Sequence, residues 1–492
     1  MIANGNATKL PEVKHTQMLI NGKFVNASDN KTFEVVNPNT KQKIADIPEA
    51  TEDDANAAVA AAKAAFPEWS NTDPEVRGSY LKKLGALMRE HHSEISQLES
   101  VSMGRPTSLG FDTIMAARMC EQFGEAWPHI QGHSSLNTPG FIGMTLRQPY
   151  GVAAIIIPWN APLLFIGMKC AAALIAGNTV VLKSSEKGPL GVARVADLIQ
   201  QAGFPPGVFN VISGHGMPSG SVLAHHMDVR VISFTGSTAT GKLIQQAAAK
   251  SNLKMVSLEL GGKSPSIIFA DAPSLEKAAE ATAQAIQINS GQMCIANSRL
   301  YVEKSIAAEF IEIFKKKFSA VSAGDALRAD VNHGPQVDVI QFDKVMDYIA
   351  EGKKTGNLVM GGGHIEGTDG FFVQPTVFLD QPEDARVMKE EIFGPVVNIN
   401  TFETEHEAIQ KANDTEFGLY ASVFTRDISK AMRVAKALES GSVGVNCSST
   451  SNGRDMPFGG YKQSGQGREG IFYSLEHFLE QKAVLIKVDE SF

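Results

Sequence analysis

The sequence predicts an α/β fold built as two sheet-and-helix domains in succession. Three observations carry that prediction. First, from Gly151 onward short apolar runs ("VAAIII", "TVVLK", "VFNVIS", "VISFT") alternate with helical stretches such as "PLGVARVADLIQQAG". Runs that are apolar throughout, rather than at every second residue, belong to strands covered on both faces, hence to a parallel sheet between helices. Second, the same texture restarts after Glu259 with "PSIIFA", "RLYVE", "VVNINTF" and "SVGVN". Third, 492 residues exceed what one hydrophobic core supports.

The elements follow in order. In "TEDDANAAVAAAKAAFPEWS", Thr51 caps a helix and Asp54 completes a capping box, while Ala55, Val59, Ala62 and Phe66 fall on one face. The apolar "KAVLIKV" near the end has no helix after it and reads as an edge strand for subunit pairing.

Composition narrows the function. With 45 basic and 53 acidic residues the net charge is −8, which argues against a nucleic-acid binder. Cys120, Cys170, Cys294 and Cys447 lack metal or disulfide spacing and suit a reducing compartment. His91–His92 and His225–His226 are adjacent pairs, not ligands one helical turn apart, so no metal is expected. The first residues lack a signal or transit pattern, and no apolar run is long enough to cross a bilayer. The expected location is the cytoplasm.

Within "SFTGSTATGKL", Gly236, Gly241 and Lys242 show the spacing of a P-loop, but Leu243 stands where magnesium needs Ser or Thr. What remains is a Gly-rich turn into a helix N-terminus, either a plain tight turn or an anion site to which Ser237 adds a hydroxyl. "INSGQMCIANSR" places Cys294 after a polar, glycine-containing stretch, as a buried core thiol or as a nucleophile on a turn.

Taken together, "PWNAP" (158–162), "FTGST", "LELGGKSP" (258–265), "NSGQMC", "EEIFGPV" (390–396) and "PFGGYKQSGQGRE" (457–469) resemble the aldehyde dehydrogenase superfamily, in its order and over nearly the whole chain. The resemblance implies a Rossmann-like NAD-binding domain (15–129 and 150–260), an α/β catalytic domain (261–466) and a small β oligomerisation arm (130–149 and 467–492). It implies Cys294 as nucleophile, Glu259 as general base, Asn160 as oxyanion donor and Lys169 supporting the site next to Asn160. For the cofactor it implies Trp159, Lys183, Glu186, Gly236, Ser237, Glu391 and Phe393. The tunnel to the sulfur would be lined by Ala161, Phe165, Met168, Ile288, Met293, Ile295 and Phe458. One departure from the pattern is Ser184, where the family places Pro.

The chemistry needs these residue types. A thiolate adds to an aldehyde carbonyl, preorganised N–H donors hold the oxyanion, and a base activates the water that hydrolyses the thioester. The Glu186 carboxylate suits ribose hydroxyls and repels a 2′-phosphate, so NAD is expected in preference to NADP. The apolar tunnel predicts an uncharged aliphatic or aromatic aldehyde as substrate, and Arg454 is read as pairing with Asp455 or standing in a solvated loop in preference to selecting an acidic substrate tail. Relatives assemble as dimers or tetramers, so a homodimer or homotetramer is expected. The competing readings are a cofactor-independent cysteine hydrolase and a non-catalytic dinucleotide-binding protein.

Overall fold

The computed structural model describes residues 8–448 and 455–488. Near its start, Thr51 caps the helix Glu52–Asn71 as expected: its hydroxyl accepts from the Asp54 N–H at 3.2 Å, and the Asp54 carboxylate accepts from the Thr51 N–H at 2.9 Å. Ala55, Val59 and Ala62 are buried, whereas Phe66 is only half-buried. The helix continues through Pro67, so the next residue on the buried stripe, seven after Ala62, is Trp69 at 1% exposure.

The first large sheet has eight strands. In spatial order they are Lys23–Val25, Met18–Ile20, Phe209–Ile212, Thr179–Lys183, Val152–Ile156, Val229–Thr235, Met255–Glu259 and Gly465–Gln466. The five from Phe209–Ile212 to Met255–Glu259 are parallel, as the continuously apolar runs predict. Val152–Ile156 and Thr179–Lys183 are buried along their whole length. From Val152–Ile156 the chain builds outward in one direction through two strands, then returns to add Val229–Thr235 on the other side. That reversal leaves a crevice at the carboxyl ends of Val152–Ile156 and Val229–Thr235, the usual place for a ligand in a doubly wound sheet.

The second sheet has seven strands, all from the span between Pro265 and Val445. All its pairings are parallel except that of Asn357–Met360 on Thr376–Leu379. A third sheet pairs Leu479–Lys487 with Phe141–Pro149 in a nine-residue antiparallel register, and Ser134–Ser135 with the other side of Phe141–Pro149. The expected edge strand "KAVLIKV" is therefore a true edge, with Leu485 and Ile486 exposed. One strand crosses the expected borders: Gly465–Gln466 adds to the first sheet, antiparallel to Leu258–Glu259.

Candidate active site

The crevice at the reversal point is a cleft of about 160 Å³. Trp159 and Asn160 reach it from the turn after Val152–Ile156, and Gly236 and Ser237 from the turn after Val229–Thr235. Ser237 caps the helix Thr238–Lys250, its hydroxyl accepting from the Thr240 N–H at 3.2 Å. A Cβ on Gly236 would stand 2.4 Å from the Phe234 ring, so the close turn needs glycine. Gly241 and Lys242 lie inside this helix, and Lys242 Nζ donates to Gln463 Oε1 at 2.9 Å. The P-loop resemblance thus fails on geometry as well as on Leu243, and the helix N-terminus remains.

Across the cleft stand Glu391, Phe393, Gln341 and Lys344 from the second sheet's side. The Trp159 and Phe393 rings meet edge to face at 5.6 Å, and Glu391 Oε1 accepts from the Gly262 N–H at 3.0 Å. Burial raises the Glu391 carboxyl. Lys183 and Glu186 are not among the residues lining this cleft; they follow the adjacent strand, Thr179–Lys183. Lys183 is buried, and its ammonium donates to the carbonyls of Gly214 and, at 3.0 Å, Ser184. Burial pushes it down to about 8, against the pull of Glu186 and Glu49. Glu186 is half-buried and accepts from Ser185 Oγ at 3.2 Å.

Cys294 follows an unusual turn. Asn289, Ser290 and Gly291 take successive left-handed φ values of 50°, 53° and 79°, costly for the two side-chain-bearing residues and tolerated best by Asn. The turn is held by its surroundings. Ser290 Oγ donates to the Gly334 carbonyl at 2.7 Å, and buried Gln292 donates to the Asn289 and Pro335 carbonyls while accepting from the Val337 N–H at 2.9 Å. A Cβ on Gly291 would meet the Gly394 main chain at 2.1 Å. The polar stretch before the cysteine therefore shapes a turn that sets the half-buried Cys294 where it lines two cavities. Asn160 Nδ2 donates to the Gln292 carbonyl at 3.0 Å, so its amide lies against the same turn. Burial, then Glu391 and Glu259, push the Cys294 thiol upward.

The second cavity, about 570 Å³, is lined by Cys294 and Asn160 together with Ala161, Phe165, Met168, Ile288, Met293, Ile295 and Phe458, so every expected tunnel residue is present. Sequence reasoning missed Phe111, Leu164 and Cys447, and also a polar wall of Lys277, Glu280 and Gln284 from the helix Leu275–Gln287. The signal was available, because Glu280, Gln284 and Ile288 are spaced by four and share one helical face. Arg454 lies outside the described residues.

Lys169, expected to support the site next to Asn160, has its hydrogen bonds elsewhere. Its ammonium donates to Ser233 Oγ at 3.0 Å and to the Glu469 carboxylate, and its charge draws the Glu259 carboxyl down. Glu259 is 2% exposed, and neither carboxyl oxygen has a hydrogen-bond partner. Burial and the neighbouring Glu469 hold its carboxyl well above the usual range. It lines neither cavity. Glu469 is the residue that the sequence reading left unassigned, although it ends the motif "PFGGYKQSGQGRE". Among the described residues no group of three His, Cys, Asp or Glu side chains is placed to hold a metal, and no helix is long and apolar enough to cross a membrane. Cys120, Cys170 and Cys294 are free thiols.

These features can be set beside known proteins. The model of the aldehyde dehydrogenase family matches residues 24–484. An aldehyde dehydrogenase of Alternaria alternata is 43% identical over 478 residues, 96% of each chain. Cytosolic aldehyde dehydrogenase 1 of Elephantulus edwardii is 42% identical over 97% of this chain and 96% of its own. Among solved structures, γ-glutamyl-γ-aminobutyraldehyde dehydrogenase of Burkholderia cenocepacia is similar at TM-score 0.94 and 44% identity, covering 96% and 97% of the two chains. Indole-3-acetaldehyde dehydrogenase of P. syringae, in complex with NAD+ and IAA, is similar at 0.95 and 39%, covering 97% of each chain. With a doubly wound sheet, a cysteine turn at its crevice and whole-length likeness all in agreement, the chain belongs to the aldehyde dehydrogenase family.

Proposed function

We propose that the enzyme oxidises an uncharged aliphatic or aromatic aldehyde to its carboxylic acid through a thioester on Cys294. The observation that carries this reading is the single cavity in which Cys294, Asn160 and seven apolar side chains meet. The enzyme uses NAD, as in the solved complexes of similar aldehyde dehydrogenases. Its own residues fit that group: a glycine turn where a Cβ would press on the Phe234 ring, a helix N-terminus at Ser237, and an aromatic pair beside Glu391, in a cleft that ends at Cys294. Trp159, Gly236, Ser237, Glu391 and Phe393 would hold it, with Lys183 and Glu186 at its ribose. NAD, when bound, supplies the acceptor for the hydride that leaves the thiohemiacetal carbon.

The chain's own residues do the rest. Cys294 Sγ, once deprotonated, adds to the carbonyl carbon. The Asn160 amide and the Cys294 N–H receive the oxyanion, at about 3–4 kcal/mol per donor in comparable sites. Collapse of that oxyanion leaves the thioester. Glu259, once deprotonated, takes a proton from the hydrolytic water. Because its carboxyl is enclosed in the structure, the side chain must swing into the tunnel for this step.

The first sheet with its helices would then be the NAD-binding domain (15–129 and 150–260), the second the catalytic domain (261–466), and the third the arm (130–149 and 467–492) of a cytoplasmic homodimer or homotetramer. The test is NADH absorbance with NAD and a panel from acetaldehyde through hexanal to benzaldehyde, beside Cys294→Ala. Turnover that vanishes in the variant and favours the larger neutral aldehydes is expected. Turnover that survives in Cys294→Ala overturns the reading.

A further inference from the structure

Behind Asn160 lies a charged cluster that this scheme leaves without a task. Glu99, Arg105 and Asp112 are 2%, 2% and 0% exposed. Arg105 follows Gly104, the left-handed cap of the helix His92–Met103, and Asp112 opens the helix Asp112–Gly124. One guanidinium nitrogen, Nη2, donates to Glu99 Oε2 and Asp112 Oδ1 at 2.5 Å each. The other, Nη1, donates to the main-chain carbonyl of Asn160 at 3.1 Å. Asn289, from the cysteine turn, donates its Nδ2 to that same carbonyl at 3.4 Å. The guanidinium also stands 5.3 Å from the ring centroid of Phe111, which lines the tunnel.

A buried ionic cluster of this kind is a poor stabilising device, since apolar side chains of similar volume serve a core as well or better. This one leaves Glu99 Oε1 and Asp112 Oδ2 without partners, a further cost. What apolar residues cannot supply is a rigid donor aimed at a chosen carbonyl. Here the carbonyl belongs to the residue whose amide must meet the oxyanion, and the two acids fix the guanidinium that grips it.

We propose that Arg105, clamped between Glu99 and Asp112, is a positioning residue for Asn160. By holding the Asn160 carbonyl it fixes the main chain from which the oxyanion-binding amide projects, while its face against Phe111 sets the adjoining tunnel wall. The inference rests on Asn160 being the oxyanion donor. Burial and the facing Asp112 keep the Glu99 carboxyl well above its usual range. Burial therefore favours the neutral form of Glu99 within the cluster.

The experiment is stopped-flow measurement of the NADH burst with NAD and hexanal for wild type, Arg105→Gln, Arg105→Lys, Asn160→Ala and the Arg105→Gln/Asn160→Ala double variant. Arg105→Gln is expected to slow the burst about 10- to 100-fold, the scale of a misplaced catalytic group, with KM for NAD unchanged. Arg105→Lys, which keeps the charge and a donor, restores most of the rate. The double variant is no slower than Asn160→Ala alone, because a positioning residue has nothing left to position. A burst unchanged in Arg105→Gln, or a double variant slowed by the product of the two single effects, overturns the proposal. If Arg105→Gln does not fold, Arg105→Met, which likewise removes the donor, takes its place in the same cycle and is read by the same criterion. A burst unchanged in Asn160→Ala by itself refutes the oxyanion assignment and the proposal with it, and only that single variant reports this outcome.

Discussion

At the residue scale, both groups proposed for proton chemistry are shifted toward their neutral forms. Burial and nearby carboxylates raise the Cys294 thiol, and burial beside Glu469 raises the Glu259 carboxyl. A raised carboxyl gains its basic form only as pH climbs beyond the ordinary carboxylate range, so steady-state turnover should rise with pH along that limb. Glu259→Gln should leave a burst of about one NADH per subunit and then slow turnover by about 10²–10⁴, the span of general-base effects. An acyl-enzyme trapped by acid quench and seen by mass spectrometry checks it. Lys183 gives a second pH signature of opposite sense. Its charge is lowered to about 8 and is lost as pH rises through that value, so NAD affinity, followed by protein fluorescence, should weaken from about pH 8 upward. Lys183→Gln should bind NAD weakly at all pH and remove that dependence. Cys294, Glu259 and Asn160 could be proposed from the sequence because each sits inside a short local motif. Glu469 was not, since its contact with Lys169 joins residues 300 apart in the chain.

At the scale of elements, the strands were readable because burial on both faces leaves an uninterrupted apolar run, and Thr51 with Asp54 announced a helix start that the structure contains. Backbone geometry was less so. The residues Asn289, Ser290 and Gly291 suggest a turn, but that all three are left-handed depends on side-chain anchors from 334–337 that no local pattern reveals. Gly291→Ala tests the turn. The added methyl must displace the Gly394 main chain, and Gly394 adjoins Phe393 of the cofactor cleft. Loss of turnover of about 100-fold or more is expected, consistent with a displacement near 1 Å, with far-ultraviolet circular dichroism unchanged. Retained turnover would mean that the turn tolerates a different path.

At the scale of the whole molecule, the carboxyl ends of one parallel sheet face the loops that enter the other, and the site lies between them. The third sheet offers Leu479–Lys487 as a free edge with Leu485 and Ile486 exposed. Uncovered edges of this sort invite pairing with a second chain. The proposed homo-oligomer predicts that replacing Leu485 and Ile486 by lysines shifts the enzyme to a smaller species in analytical ultracentrifugation, and an unchanged mass refutes pairing through this edge. The crossing strand Gly465–Gln466 was invisible in the sequence because two residues carry no period.

That crossing strand ties together parts that would otherwise age separately. It pins Leu258 and Glu259 from beyond the second sheet, Glu469 follows three residues after it, and the same segment then runs on into Leu479–Lys487. Whatever loosens the tail first, such as gentle warming, tugs on the proposed base and on the Lys169–Glu469 pair beside it before either large sheet melts. Thioester hydrolysis should therefore be the earliest function to fade, with NAD still bound and the helical signal still intact.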